Sequence, residues 1–139
     1  MLTDDQIRQI RVTLEAYLQL FPQVESEAVA GLIMVPYCYS GEGSATELPT
    51  KQAFLAFRDA YMVRVGGGAR SARLISLEAC PIGVGMALAD VQSVRLDASG
   101  SEIARARTRF ILQRTDSRWL IGAAITGVGK LLEGQTHNV

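Results

Sequence analysis

The stretch "VGMALADVQSVRLDASGSEIARARTRFILQR" (Val84–Arg114) decides the fold. Its side chains alternate with a period of two on both sides of "DASGS" (Asp97–Ser101), the pattern of two strands joined by a turn. On the first strand Met86, Leu88, Asp90, Gln92 and Val94 share one face; Ala87, Ala89, Val91, Ser93 and Arg95 share the other. On the second, Arg105, Arg107 and Arg109 share a face with Ile103 and Ile111, opposite Ala104, Ala106, Thr108, Phe110 and Leu112.

A one-residue change of hairpin register exchanges these faces wholesale. A five-residue loop sets Val94 opposite Ala104, Asp90 opposite Thr108 and Leu88 opposite Phe110, so one face is nearly all apolar and the three arginines lie outside. A four-residue loop sets Asp90 opposite Arg107 and Gln92 opposite Arg105, which builds a charged centre on one face. Segregation of apolar from charged residues favours the first register. Asp90 then lies on the inner face among Met86, Leu88, Val94 and Phe110, where a carboxylate needs a partner or takes a raised pKa. A raised pKa suits a general acid or base at neutral pH; satisfaction by Thr108, Gln92 or a water is the alternative. The arginine row is either a solvated or subunit-facing surface or a site for an anion.

Working outward, the strand pattern extends over Ala72–Cys80 and Arg118–Thr126, with "TDS" as a further turn. Three helical segments precede the strands. "TDDQIRQIRVTLEAYLQLF" carries Ile7, Ile10, Leu14, Tyr17, Leu18 and Phe21 at helical spacing, with Thr3 and Gln6 as a capping box and Pro22 as its end. "SEAVAGLIM" reads as a shorter helix capped by Ser26. "VPYCYS" is extended, and Pro36 makes it at best an edge strand; "SGEGSATELP" reads as a loop. "PTKQAFLAFRDAYMVRV" is the third helix, with Ala53, Phe54, Phe57, Tyr61 and Val65 on its apolar face, stopped by Gly66–Gly68. Those glycines follow a helix, whereas phosphate loops precede one. Helices first and hairpin strands afterwards predict an α+β fold, an antiparallel sheet with helices on one face.

The composition bounds the function. The chain has 139 residues, 48% hydrophobic and 20% charged, which fits one soluble domain over 1–139, with 134–139 as a flexible tail. Fourteen basic and 14 acidic residues balance, arguing against nucleic acid as a partner. Of the basic residues 12 are arginine, the residue of fixed bidentate contacts. Cys38 and Cys80 have no CxxC spacing and no nearby histidine, so neither a metal nor another cofactor is expected; a disulfide between them is left open. The start "MLTDDQIRQI" lacks a leader pattern and no apolar run spans a bilayer, so a cytoplasmic setting without membrane contact is expected. His137 lies in the tail, leaving Ser-His and Cys-His arrangements without a base.

The run "GMALADVQSVRLDASGSEIARARTRFILQRTDSRWLIGAAI" resembles the C-terminal half of the nuclear-transport-factor-2-like superfamily, whose members include polyketide-cyclase-like and ketosteroid-isomerase-like proteins. The carrying features are the "LDASG" hairpin, the strand ending "LQRTD" and the following "RWLI", and the order of helices and strands matches over nearly the whole chain. The resemblance implies a strongly curved sheet wrapped around the N-terminal helices as a cone-shaped, cystatin-like barrel, an apolar pocket at its mouth, and a homodimer formed through the sheet. Ketosteroid-isomerase-like members carry a catalytic aspartate after the second helix; here "MVPYCYSGEG" has no acid before Glu42. Tyr17 matches the position of their oxyanion-stabilising tyrosine. The histidines of scytalone-dehydratase-like members are missing, and of the Asp-Arg-Asp arrangement of epoxide-hydrolase-like members Asp90 and Arg107 supply a part only in the second register.

The expected site is therefore a cone pocket for a small apolar or polycyclic ligand, lined by Met34, Tyr37, Tyr39, Phe57, Tyr61, Met86 and Trp119. Asp90 or Glu42 would act as base and a tyrosine hydroxyl, Tyr17 first, as electrophile. The same side chains can instead fill a core, leaving a non-catalytic homodimeric interaction module.

Overall fold

The structure is a computed structural model that describes residues 1–41 and 43–127. Glu42, His137 and the 134–139 tail lie outside the described residues.

Helix α1 (Asp4–Leu20) starts on the expected capping box: the Thr3 hydroxyl accepts from the Gln6 N–H at 3.1 Å, and the Gln6 side chain accepts from the Thr3 N–H at 2.9 Å. Its stripe buries Ile10, Thr13, Leu14, Tyr17 and Leu18. The second helical segment is only a 3₁₀ turn, Ala28–Leu32; Ile33 and Met34 already belong to β1 (Ile33–Gly41). A helix that short is marginal alone, and pairing Ile33 with Ile121 takes its last residues into the sheet. After β1 come β2 (Ser44–Leu48), α2 (Lys51–Val65), β3 (Ser71–Gly83), β4 (Met86–Leu96), β5 (Glu102–Thr115) and β6 (Arg118–Thr126). α2 starts at Thr50, whose hydroxyl accepts from the Ala53 N–H at 3.0 Å, so Pro49 precedes the cap.

The six strands form one curved, unclosed sheet in the order β2-β1-β6-β5-β4-β3. All neighbours are antiparallel except β1 and β6, which run parallel. Two expectations are corrected here. The segment around Pro36 is an interior strand, not an edge, and "SATEL" is its partner β2, not a loop. Pro36 is tolerated because it falls where both ladders are interrupted. The β6 register shifts between Ile33 and Cys38, and the β2 ladder begins at Tyr37, so no N–H is demanded of it.

The decisive hairpin follows neither expected register over its length. Leu96 pairs with Glu102, as the five-residue loop requires. A bulge then inserts Ile103, and beyond it Arg95 pairs with Ala104, Val91 with Thr108 and Asp90 with Arg109. The slip keeps the expected inner face of β5 but turns β4 over. Ala87, Ala89, Val91, Ser93 and Arg95 face the helices, while Asp90, Gln92, Arg107 and Arg109 share the outer face. The inner row Tyr39–Ala124–Phe110–Ala89–Ala79 shows why. Small residues there leave room for α1, which lies against β3 and β6 and whose Tyr17 packs edge-on to Phe110 at 5.4 Å. Leu88 and Met86 in their place would overpack it.

The corresponding outer row runs Cys38–Ala123–Ile111–Leu88–Cys80. The two cysteines thus sit four strand spacings apart, each about 4.8 Å, too far for a bridge, and both are free and exposed. Among the described residues no helix is long and apolar enough to cross a membrane.

Candidate functional site

Between the end of α1, the length of α2 and the inner face of the sheet lies a layer of aromatic rings. Phe21 packs edge-on to Tyr61 at 5.7 Å, Tyr37 to Phe54 at 4.9 Å, and Tyr39 lies on Phe57 at 4.7 Å. Each tyrosine hydroxyl has a partner, as burial requires. The Tyr17 and Tyr37 hydroxyls meet at 3.0 Å, and the Tyr39 hydroxyl meets that of Thr126 at 3.1 Å. The Tyr61 hydroxyl accepts from Arg95 Nη2 at 2.8 Å. Burial pushes the Tyr17 and Tyr37 phenols well above their ordinary pKa, so both are neutral hydroxyls under all ordinary conditions.

The rings do not fill the cone completely. A chamber of about 70 Å³ remains, bounded by Tyr17, Phe21, Tyr39, Tyr61 and Phe110. It adjoins a wider mouth of about 420 Å³, and the two share Tyr61, Ser93, Arg95, Ala106, Thr108 and Thr126. Arg95 sits in this neck because the bulge at Ile103 turned β4 over. It also donates through Nη1 to the Val65 carbonyl at 3.0 Å, holding the last turn of α2, and stacks 5.6 Å from the Tyr61 ring. Arg105 and Arg107, on the outer face of the part of β5 that has no β6 partner, border the same mouth at the strand's edge. Among the described lining residues of chamber and mouth there is no Asp, Glu or His.

Of the residues expected at the site, Tyr17, Tyr39 and Tyr61 line the chamber. Tyr37 and Phe57 stand one layer behind, hydrogen-bonded to Tyr17 and packed at a tilt against Tyr39 respectively. Met34 packs over Gly122 instead, and Met86 lies with Pro81 and Gly83 at the β3–β4 turn. Trp119 is buried at the far end of α1, where its indole N–H donates to Gln9 at 3.3 Å. Asp90 is displaced from the expected inner position to the opposite face of the sheet. Arg107 grips it with two bonds, Nε at 3.1 Å and Nη2 at 2.8 Å, and Arg109 Nε stands 3.7 Å away. These hydrogen bonds hold its carboxyl below the usual carboxylate range, the reverse of the expected rise. Ser93, Arg95, Thr108 and Thr126 do not stand out as a group in the sequence, because only the registers of β4 against β5 and of β5 against β6 bring them together.

Residues 5–127 match the family model described as NTF2-like protein (DUF6841). The chain belongs to this NTF2-like family. The sequence matches no curated protein. Solved structures with the same architecture agree on the fold. A protein of unknown function with a cystatin-like fold from Nostoc punctiforme aligns with a TM-score of 0.73 at 10% identity, over 90% of this chain and 92% of that one. An NTF2-like protein with a cystatin-like fold from Novosphingobium aromaticivorans aligns with a TM-score of 0.66 at 20% identity, over 88% and 80%. A protein from Catenulispora acidiphila, solved in complex with S-DNPA, aligns with a TM-score of 0.68 at 12% identity, over 94% and 99%.

Proposed function

We propose that this NTF2-like domain binds a small, largely apolar or polycyclic molecule at the mouth of its cone. The observation that carries the reading is the neck: an aromatic chamber and a mouth of about 420 Å³ joined along six shared residues, within the size range of small-molecule sites. Tyrosines give such a ligand an apolar wall with hydrogen-bonding tips. A neighbour of the same fold, solved in complex with S-DNPA, supports the reading by analogy. Binding is favoured over proton-transfer catalysis, because the described lining residues offer neutral hydroxyls and guanidinium groups but no base.

The test is melting in the presence of steroids and aromatic polyketides, with Ala106→Trp as the filled-neck control. A ligand at a hundredfold excess over its Kd adds about 2.7 kcal/mol, several degrees of Tm for the wild type and none for Ala106→Trp. Failure of every compound to shift the wild type refutes the reading.

A homodimer through the outer face of the sheet is a second reading with its own support. Leu88, Ile111 and Ala123 form a half-buried apolar row there. Sedimentation equilibrium is expected to give a dimer for the wild type and a monomer for Ile111→Glu; a monomeric wild type at tens of micromolar removes this reading.

A further inference from the structure

We infer that the ligand of this site is an organic acid, a small amphipathic carboxylate whose acid group faces Arg95 in the neck and whose apolar end enters the tyrosine chamber. The inference rests on the binding reading above and adds the charge of the ligand.

The mouth is lined by three arginines, Arg95, Arg105 and Arg107, together with the hydroxyls of Ser93, Thr108 and Thr126, and by no carboxylate among the described residues. This is a local excess in a chain whose formal net charge is zero. Two of the three arginines already have acid partners elsewhere. Arg107 is chelated by Asp90 on the outer face, and Arg105 holds Glu102 at 2.7 Å in a solvent-exposed pair. Exposed pairs of that kind are worth little and exchange readily.

Arg95 differs from both. Its bonds go to neutral acceptors, the Val65 carbonyl and the Tyr61 hydroxyl, and among the described residues no carboxylate lies within 4 Å of it. A guanidinium has five N–H donors, so those two bonds leave part of it to face the cavity whose wall it forms. It is half-buried, so an anion brought there is attracted more strongly than at an open surface.

The ligand's shape and charge follow from the two volumes and from α2. A chamber of about 70 Å³ admits only a short apolar end, and the remaining bulk belongs in the mouth of about 420 Å³. The C-terminal end of α2 is beside the neck, marked by the Val65 carbonyl on Arg95. The negative end of that helix dipole opposes any anion, and a dianion such as phosphate more than a singly charged carboxylate, so the attraction comes from Arg95 and favours a single charge.

The experiment is calorimetric titration with naphthalene-2-acetic acid, its neutral amide, and inorganic phosphate. It uses the wild type, Arg95→Met, Arg105→Gln and Ala106→Trp. The acid is expected to bind at least tenfold more tightly than the amide, to weaken with added salt, and to lose that preference in Arg95→Met. Arg105→Gln is an exposed change that leaves the fold intact, and it is expected to reduce acid binding severalfold; it carries the test if Arg95→Met does not fold. Equal binding of acid and amide, both abolished in Ala106→Trp, overturns the acid assignment while the pocket stands. Binding of phosphate unaffected by Ala106→Trp also overturns it, in favour of a plain anion site. No binding of acid or amide by the wild type overturns it together with the pocket reading.

Discussion

Two arginines hold α2 in place, and they do so in opposite surroundings. Arg58, in the middle of the helix, is 1% exposed. Its Nε donates to Asp59 at 2.7 Å, Nη1 to the Phe21 carbonyl at 3.2 Å and Nη2 to the Ser26 carbonyl at 2.6 Å. The two Nη nitrogens tie the helix to the chain leaving α1, while Nε is held within the helix by the neighbouring Asp59. Arg95 reaches the same helix from β4 and grips its last turn, but one side of it borders the cavity. The first guanidinium is enclosed by protein acceptors; the second is enclosed on one side and open on the other. Identical side chains thus divide into a fastening of the fold and a candidate ligand contact. What divides them is the number of donors the fold consumes.

The largest expected effect tests the enclosed member. Arg58→Met leaves two part-buried carbonyls without donors and removes a fully buried guanidinium, and is expected to cost about 3 kcal/mol, lowering Tm by roughly 10 °C for a domain of this size. Arg95→Met, half-exposed, is expected to cost about 1 kcal/mol. Thermal melts of the two variants side by side check the contrast. Equal losses would mean that Arg95 is as much a structural fastening as Arg58.

The same contrast explains what the sequence could and could not reveal. α1 was legible because its cap and its 3.6-residue stripe are local signals carried by Thr3, Gln6 and Ile10 to Leu18. β5 and β6 were legible within a residue of their ends, since alternation marks a strand wherever it pairs. Hairpin register is not local. Both faces of β4 carry apolar residues, and choosing the bulkier face as the inner one ignores that α1 needs small residues beneath it. A single bulged residue, Ile103, reversed the strand. With it went Asp90, which left the interior, and Arg95, which entered it. Burying an arginine inward runs against apolar segregation, so no pattern rule points to it. The tyrosines of the site were visible because their own helix or strand dictates their direction; its polar wall was not, because it exists only through the pairing.

Inside the chamber the same dependence on partners holds for hydroxyls, with a smaller effect than at Arg58. The Tyr17 and Tyr37 hydroxyls satisfy one another at 3.0 Å in a fully enclosed setting. Either single change to Phe leaves the other hydroxyl buried without its partner and is expected to cost about 1–2 kcal/mol. The double change removes both and is expected to cost less than the sum of the singles. Additive losses in a double-mutant cycle by urea denaturation would show that the hydroxyls reach other partners.

Across the sheet, Asp90 contributes with a pH dependence opposite to that of the tyrosine pair. Asp90 is held below its ordinary value of 3.8, first by the hydrogen bonds from Arg107, with the Arg107 and Arg109 charges adding to them. Below that value the unfolded chain binds the proton more readily than the folded one, so stability rises with pH through this window. The contribution of Asp90 is therefore complete above about pH 5 and lost as the pH falls through the lowered value. Asp90→Asn is expected to cost about 1 kcal/mol at pH 7, with the difference from wild type shrinking below pH 4. The tyrosine pair behaves as the mirror image: its raised values give stability that is whole below about pH 10 and fades above it. If instead Asp90→Asn became relatively more destabilising on acidification, the carboxyl would have to be protonated in the native state. That is the property of a general acid in an apolar interior, and it would return Asp90 to the inner face from which the Ile103 bulge removes it.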